Sequence, residues 1–174
     1  MRYIIVIDQG TTSSRASLYN EKAQVVAYHQ EEFRQIYPQN GYVEHNPLDI
    51  LNSVKNVIEK ALQKANIAKN DIVGVGITNQ RETVVMWDKE TGKPIYNALV
   101  WQCRRTIERC EELKEAGYEE VIRSKTGLTI DPYFSATKIE WLLNNIAEAR
   151  VLLEKGSLLV GTIDTYLMWA LSDG

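Results

Sequence analysis

The hydrophobic pattern at the start of the chain predicts three successive β-strands. Residues 3–7 form an apolar run, apolar and polar positions then alternate along residues 14–19, and residues 24–28 form a third segment of strand length. Both patterns are typical of strands, and the polar residues 20–22 predict the turn between the second and third. Three consecutive strands differ from the strand and helix alternation of a Rossmann unit. Neither Gly-x-Gly-x-x-Gly nor a Walker A sequence occurs in the chain.

A helical pattern follows Asn46 and Pro47, a pair typical of an N-cap and first turn. Apolar residues then recur at helical spacing, and we predict that they face the core: Leu48, Leu51, Val54, Val57, Ile58, Ala61, Leu62 and Ala65. Residues 71–78 are apolar and contain glycine, which favours a central strand that another backbone or a ligand approaches closely. Residues 83–88 predict a further strand, followed by a turn at 89–94.

The rest of the pattern is mainly helical. It predicts helices over about 104–116, 118–125, 136–145, 147–155 and 163–171, with a short buried strand at 158–160. A chain of 174 residues can bury a substantial core, and one domain is the simplest count. These elements predict an α/β fold.

The residues between the first two predicted strands are small and polar. Gly10 allows close backbone approach, and the short side chains of Thr11, Thr12 and Ser13 leave N–H groups open to a polyanion. Asp8 could hold Mg²⁺, directly or through water. The pattern therefore favours a phosphate-binding turn. An ordinary β-hairpin is the alternative, since the same residue types are common turn formers.

A polar cluster, Asn79-Gln80-Arg81-Glu82, separates two predicted strands. Ligands bind beyond the carboxyl ends of strands in open α/β sheets. Adjacent Arg and Glu side chains can donate to and accept from neighbouring hydroxyl groups of a polyol. The alternative is a solvated turn with a surface ion pair, which usually stabilises a protein little.

Two aromatic residues lie near predicted helix starts. Trp101, before Arg104 and Arg105, could form an apolar wall against the carbon side of a polyol, and packing in the core is the alternative. Tyr133 lies in a loop before a helix that Ser135 is predicted to cap, which leaves the phenol free to bond. For this loop, structural and binding roles are equally open.

Composition narrows the classes of partner. The net charge is −3 and no basic stripe is present, which argues against nucleic acid. No apolar run approaches the length of a membrane span, and a strand begins too early for a secretory signal, so we expect a cytoplasmic protein without a membrane partner. Cys103 and Cys110 are predicted to be thiols on one helix face, with a disulfide as the alternative.

The whole chain resembles the amino-terminal part of the glycerol kinases, a group within the FGGY carbohydrate kinase family. Five segments carry the resemblance in order: residues 7–15, 76–83, 100–106, 127–138 and 161–167. The Asp-x-Gly-Thr element is shared by the wider family, whereas Asn-Gln-Arg-Glu-Thr and Trp-Gln-x-Arg-Arg-Thr separate the glycerol kinases from kinases of xylulose, ribulose and gluconate. The resemblance implies a ribonuclease H-like (actin-like ATPase) fold.

The resemblance also implies ATP-dependent phosphorylation of glycerol to sn-glycerol 3-phosphate, with ATP as co-substrate and Mg²⁺ as cofactor. The implied glycerol-binding residues are Arg81, Glu82, Tyr133 and Trp101. The implied nucleotide phosphate-binding residues are Thr11, Thr12, Ser13 and Arg15. Asp8 would face the Mg²⁺ region, and Arg15 would spread charge over the transferring group, so both are catalytic candidates.

Glycerol kinases are considerably longer than this chain. The resemblance implies that residues 1–174 are a truncated, partial amino-terminal domain, the glycerol-binding half, without the general base or the carboxy-terminal nucleotide domain. Asp164 is expected to help begin the last helix rather than replace that base. The parent is expected to be a homodimer or homotetramer.

Two function hypotheses follow. The chain is part of an ATP-dependent glycerol kinase that is active only with the remaining polypeptide, or it is a non-catalytic module. Such a module would bind glycerol or phosphate weakly, or would pair with another chain. A kinase of another polyol or ketose is a further alternative.

Overall fold

A computed structural model describes residues 1–174, and these residues form two compact units. The first unit consists of residues 1–35, 46–81 and 163–174, and the second consists of residues 36–45 and 82–162. Chain length suggested one domain as the simplest count. Each unit instead has its own four-stranded sheet.

The chain contains two runs of strands, separated by one long helix and followed by a run of four helices, a last strand and a last helix. The strands are β1 (Tyr3–Gln9), β2 (Ser13–Tyr19), β3 (Val25–Glu32), β4 (Glu44–His45), β5 (Ile72–Asn79), β6 (Val84–Asp88), β7 (Ala98–Leu99) and β8 (Leu158–Thr162). The helices are α1 (Pro47–Ala65), α2 (Ile107–Glu115), α3 (Glu119–Thr126), α4 (Ser135–Asn145), α5 (Ala147–Lys155) and α6 (Ile163–Leu171).

The sheet of the first unit has the strand order β3-β2-β1-β5. The three predicted initial strands are confirmed, and they pair antiparallel, as expected for strands joined by short turns. β1 and β5 pair in parallel, with Asp8 opposite Thr78 and Gln9 opposite Asn79. The carboxyl ends of these two strands therefore lie next to each other at the same end of the sheet.

Helix α1 packs on this sheet and begins as predicted. The Asn46 side chain accepts a hydrogen bond from the Leu48 backbone N–H, which caps the helix. Most of the predicted apolar face is buried, but Leu48 is 44% exposed because it lies in the first turn, so its assignment to the core was wrong. Ile50 takes the buried position instead, and Ser53 bonds Ser14 of β2.

Strand β5, predicted to be central, lies last in the strand order of the first sheet within residues 1–174. Val73 is 59% exposed and Val75 is 58% exposed. An apolar run predicts burial, but the pairing of a strand depends on which neighbours the fold supplies. Among residues 1–174, β1 is the only neighbour of β5.

The second unit has the strand order β4-β7-β6-β8, with antiparallel pairing throughout. Its core contains Val84, Met86, Leu99, Leu142 and Ala149, which come from two strands and from helices α4 and α5. The predicted helices α3, α4 and α5 and strand β8 of this unit are confirmed to within about two residues, as is helix α6 of the first unit. The prediction that β8 is buried was wrong, since Val160 is 44% exposed and the other residues of the strand are only partly buried. No helix of the chain is both long and apolar enough to cross a bilayer.

Helix α2 begins at Ile107, three residues later than predicted, because the preceding residues form turns. Cys103 lies in those turns and Cys110 lies in the helix, so the prediction of two thiols on one helix face was wrong. Both cysteines are buried free thiols. Asp164 lies in the first turn of α6.

Stability in mild acid depends on His45, which is fully buried in β4. Burial lowers its pKa from 6.5 to about 4. Between these values the unfolded chain binds a proton that the folded chain excludes, so stability falls as the pH falls. We expect a loss of about 3 kcal/mol in the free energy of unfolding between pH 6.5 and 4.

Urea unfolding across this pH range checks the expectation. His45→Gln should flatten the pH dependence, whereas His29→Gln, at the only other histidine, should leave it unchanged. An unchanged slope in His45→Gln would contradict the assignment.

Candidate functional site

The turn between β1 and β2 is closed by its own backbone. The Gly10 N–H donates to the Ser13 carbonyl at 2.9 Å, and a Cβ at Gly10 would lie 3.3 Å from the same oxygen. This close approach favours glycine. The Thr11 carbonyl accepts from the Gln35 side chain, and the Thr12 carbonyl accepts from the Phe33 N–H. The predicted hairpin is confirmed, and its contact with phosphate stays a prediction.

Asp8 and Arg15 are direct cross-strand partners on β1 and β2. Both side chains are exposed, and paired residues point to the same side of a sheet. The Arg15 guanidinium carbon lies 4.7 Å from the centroid of the Tyr28 ring, a cation–π contact that restrains it. A carboxylate and a restrained cation therefore lie side by side next to the Gly10 turn.

Asp8 offers one exposed carboxylate at the carboxyl end of β1. No group of three potential ligands among His, Cys, Asp and Glu occurs in the chain. Mg²⁺ is commonly held by one or two carboxylates together with water and phosphate oxygens. The donor set of this chain fits a Mg²⁺ ion bound in that way and does not fit an all-protein cage.

A pair of buried amides joins the turn to the polar cluster. Gln9 is fully buried, its Nε2 donates to the Gly10 carbonyl at 2.7 Å, and its Oε1 accepts from Gln80 Nε2 at 3.0 Å. Sequence reasoning gave Gln9 no role. The available signal was its position in β1, where strand alternation places it inward after Ile5 and Ile7. A buried amide in such a position requires partners.

Arg81 and Glu82 have left-handed backbones, with φ values of 37° and 57°. Non-glycine residues rarely adopt this conformation, and the strain is of the order of 1–3 kcal/mol for each residue. The Asn79 Oδ1 atom accepts from the Arg81 N–H at 2.9 Å and stabilises this turn. The Arg81 side chain is exposed. Strained backbones of this kind cluster at ligand sites.

The Glu82 carboxylate is held by the start of helix α4. Ser135 donates to Glu82 Oε2 through its hydroxyl group at 2.7 Å and through its backbone N–H at 3.1 Å. A negative charge is favoured there by the helix dipole. The predicted capping role of Ser135 was wrong, because Phe134 occupies the N-cap position and Ser135 is the first helical residue. Both bonds use Oε2, which leaves Oε1 for another donor.

Trp101 and Tyr133 lie against each other in the second unit. Their ring centroids are 5.5 Å apart, and the Tyr133 ring also meets the Phe134 ring edge-on at 5.1 Å. Trp101 is only half-buried, in contrast to the core alternative. Tyr133 precedes by two residues Ser135, which bonds the Glu82 carboxylate. Three of the predicted site residues, Glu82, Trp101 and Tyr133, therefore lie near one another in this unit.

A buried ion pair supports the segment that carries Trp101. Arg105 bonds the Glu44 carboxylate, and its guanidinium carbon lies 4.2 Å and 4.4 Å from the centroids of the Tyr42 and Trp141 rings. Arg104, in contrast, is exposed and lies 3.5 Å from Asp131. The two adjacent arginines look alike in sequence, so their different environments were not predicted.

Comparison with known proteins gives consistent relationships. Residues 3–174 match the model of the FGGY family of carbohydrate kinases, N-terminal domain. Glycerol kinase 2 of Thermotoga maritima is 56% identical over 174 residues, which are 100% of this chain and 35% of that protein. Glycerol kinase of Aliivibrio fischeri is 56% identical over 173 residues, which are 99% of this chain and 34% of that protein.

Solved structures show the same fold. Glycerol kinase of Plasmodium falciparum, solved with ADP, has a TM-score of 0.91 at 35% identity and covers 100% of this chain and 35% of its own. Xylulose kinase of Lactobacillus acidophilus has a TM-score of 0.85 at 22% identity, over 98% of this chain and 33% of its own. The predicted actin-like ATPase fold is thereby confirmed. The chain spans about a third of the length of the curated relatives it matches.

Ser135→Ala tests the anchoring of Glu82. The change removes the hydroxyl group that donates to a carboxylate, so we expect the free energy of unfolding to fall by about 1 to 3 kcal/mol. Ser124→Ala is a matched control, since Ser124 bonds only a local carbonyl on exposed helix α3, and should change stability by less than about 0.5 kcal/mol. Urea unfolding compares the variants, and equal losses would show that the Glu82 contact stabilises nothing.

Proposed function

Because this chain belongs to the FGGY family of carbohydrate kinases, we propose that it is the amino-terminal part of a polypeptide that transfers the γ-phosphoryl group of ATP to glycerol. The observation that carries the proposal is 56% identity along the whole chain to proteins named glycerol kinase. Solved xylulose and gluconate kinases of Lactobacillus acidophilus are each 22% identical to the chain. On this proposal the chain is the glycerol-binding half of the enzyme, in the cytoplasm.

The proposed glycerol-binding residues are Arg81, Glu82, Trp101 and Tyr133. The Glu82 Oε1 atom accepts a hydrogen bond from one hydroxyl group of glycerol, and the exposed Arg81 guanidinium donates a hydrogen bond to a hydroxyl oxygen. The Tyr133 phenol provides a further hydrogen bond. Trp101, half-buried against Tyr133, lies against the carbon atoms. The geometry that supports these roles is the anchored Glu82 carboxylate and the paired rings.

The proposed phosphate site is the turn of Thr11, Thr12 and Ser13, with Asp8 and Arg15 beside it. The hydroxyl and N–H groups of the turn contact the nucleotide phosphates. Arg15 spreads positive charge over the transferring group. Asp8 holds Mg²⁺ directly or through water, and the ion neutralises phosphate charge when bound.

Phosphoryl transfer mainly requires that the alcohol be positioned and that charge be stabilised. The residues above supply positioning and charge. The general base and the nucleotide domain are proposed to lie in the rest of the polypeptide. Residues 1–174 by themselves are therefore expected to bind glycerol weakly, and to catalyse neither ATP hydrolysis nor phosphoryl transfer to glycerol.

A chimera tests the proposal. Residues 1–174 replace the matching part of Thermotoga maritima glycerol kinase 2, and ADP formation is measured with glycerol, xylulose or gluconate as the acceptor. We expect ADP formation that depends on glycerol. Glu82→Gln and Tyr133→Phe should each lower kcat/KM for glycerol by about ten- to a hundredfold, since each removes a polar contact to the substrate.

Glu120→Gln, on the exposed helix α3, serves as the control and should match the unaltered chimera. Faster ADP formation with xylulose or gluconate would assign the chain to another sugar kinase. Absence of activity, together with an absence of glycerol binding by calorimetry, would favour a non-catalytic module.

A further inference from the structure

Lys138 lies inside the second unit and takes no part in the roles described above. We propose that it is a positioning residue, which fixes the backbone of Pro132, Tyr133 and Phe134 and thereby sets the Tyr133 phenol for glycerol. This inference rests on the proposed function. Its structural half, the hold of Lys138 on the loop, can be tested separately.

The contacts of Lys138 are with three successive carbonyl groups. Its Nζ atom donates to the carbonyl oxygens of Pro132, of Tyr133 at 3.0 Å and of Phe134 at 3.2 Å. An ammonium group has three donors, so these contacts use its full donor capacity. The residue is fully buried. A single side chain thus satisfies the carbonyl groups that lead into helix α4.

Packing alone does not hold this loop. An apolar pocket of about 230 Å³ that opens to solvent lies beside it and is lined by Ile130, Phe134 and Ala136, among other residues. The side chains that line this pocket have no packed protein neighbour on that side. The other hydrogen bonds of the loop come from the Tyr133 and Phe134 N–H groups to Asp131. They restrain its start, whereas Lys138 restrains its carbonyl groups together.

The charge of Lys138 argues for a positioning role rather than for general stabilisation. Burial lowers the pKa of the ammonium group to about 8, so the side chain is still charged at pH 7. Removing a charge from water is unfavourable, and well-packed apolar side chains often replace buried charges with little loss of stability. A buried lysine therefore stabilises a core less well than an apolar side chain. Its ammonium group can, however, donate hydrogen bonds to three carbonyl groups at once and so hold them close together.

The position of the loop matters because Tyr133 has few other restraints. Its ring meets Trp101 and Phe134, and its phenol is carried directly by the backbone that Lys138 holds. A phenol that bonds glycerol equally in the ground state and in the transition state contributes to substrate binding, so its displacement raises KM for glycerol and leaves kcat unchanged. Loss of the Lys138 contacts should therefore weaken the binding of glycerol and not that of ATP.

Kinetics of the chimera test the functional half. Lys138→Met keeps the length of the side chain but removes its donors. We expect KM for glycerol to rise about tenfold, with kcat and KM for ATP within about threefold of the parent values. In a Tyr133→Phe background, Lys138→Met should change KM for glycerol by less than about threefold, because residues that act as a unit are not additive.

Lys125→Met, at an exposed lysine of α3, is the control and should behave as the parent chimera. Two results would overturn the inference. One is a Lys138→Met variant whose KM for glycerol equals that of the Lys125→Met control. The other is a double variant in which the Lys138→Met and Tyr133→Phe increases in KM multiply, as they would for independent residues. If Lys138→Met fails to fold, Lys138→Gln, which keeps a shorter donor, is held to the same outcomes.

Hydrogen exchange of the same chimera tests the structural half without activity. We expect faster exchange confined to residues 131–135 in Lys138→Met, with unchanged exchange in α1 and β6. Faster exchange throughout the second unit would show a general stabilising role and would overturn the inference. A parent chimera that is inactive and also fails to bind glycerol would refute the proposed function, and the exchange result would still decide whether Lys138 fixes the loop.

Discussion

The parallel pairing of β1 with β5 is the constraint on which the arrangement of the first unit depends. Parallel strands have their carboxyl ends at the same end of the sheet. The pairing of Gln9 with Asn79 therefore places side by side two polar segments that are about seventy residues apart in the chain. The buried contact between Gln9 and Gln80 then ties the segments together. A slip of one residue would turn Gln9 outward and break the contact. The register thus determines which polar groups can act on one ligand.

The residues that follow β5 show how a short segment can be forced into an unfavourable backbone. Arg81 and Glu82 both adopt left-handed φ values, which neither side chain favours. The Asn79 side chain on one side and Ser135 on the other offset this strain. The Ser135 contacts fix the direction of the Glu82 carboxylate, whereas the Asn79 contact restrains only the backbone of Arg81, whose side chain is exposed. A relaxed loop would leave the Glu82 carboxylate to solvent and would order it only on binding.

Buried polar groups recur beneath Trp101 and Tyr133, the two aromatic residues of the second unit that we propose bind glycerol. Arg105 with Glu44 lies beneath the segment that carries Trp101, and Lys138 lies beneath the loop that carries Tyr133. Both are charged groups removed from water and matched by specific partners. Apolar packing buries a segment, but its contacts are non-directional and do not by themselves fix the orientation of the segment. Hydrogen bonds in a low-dielectric interior fix orientation, which a small, polar substrate requires.

Local periodicity and side-chain chemistry within a few residues were enough to predict the six longer strands, the helices, the Gly10 turn, the cap at Asn46 and the family motifs, but not the two-residue strands β4 and β7. The family resemblance implied one set of glycerol-binding residues, Arg81, Glu82, Trp101 and Tyr133. Long-range packing, in contrast, places β5 beside β1, leaves Leu48 exposed and Ile50 buried, and brings Ser135 to Glu82 rather than to the cap of α4. Likewise, only the fold distinguished Arg105 from Arg104 and buried Lys138 among carbonyl groups. The physical reason is that burial and partner choice depend on residues distant in the chain, whereas periodicity and capping do not.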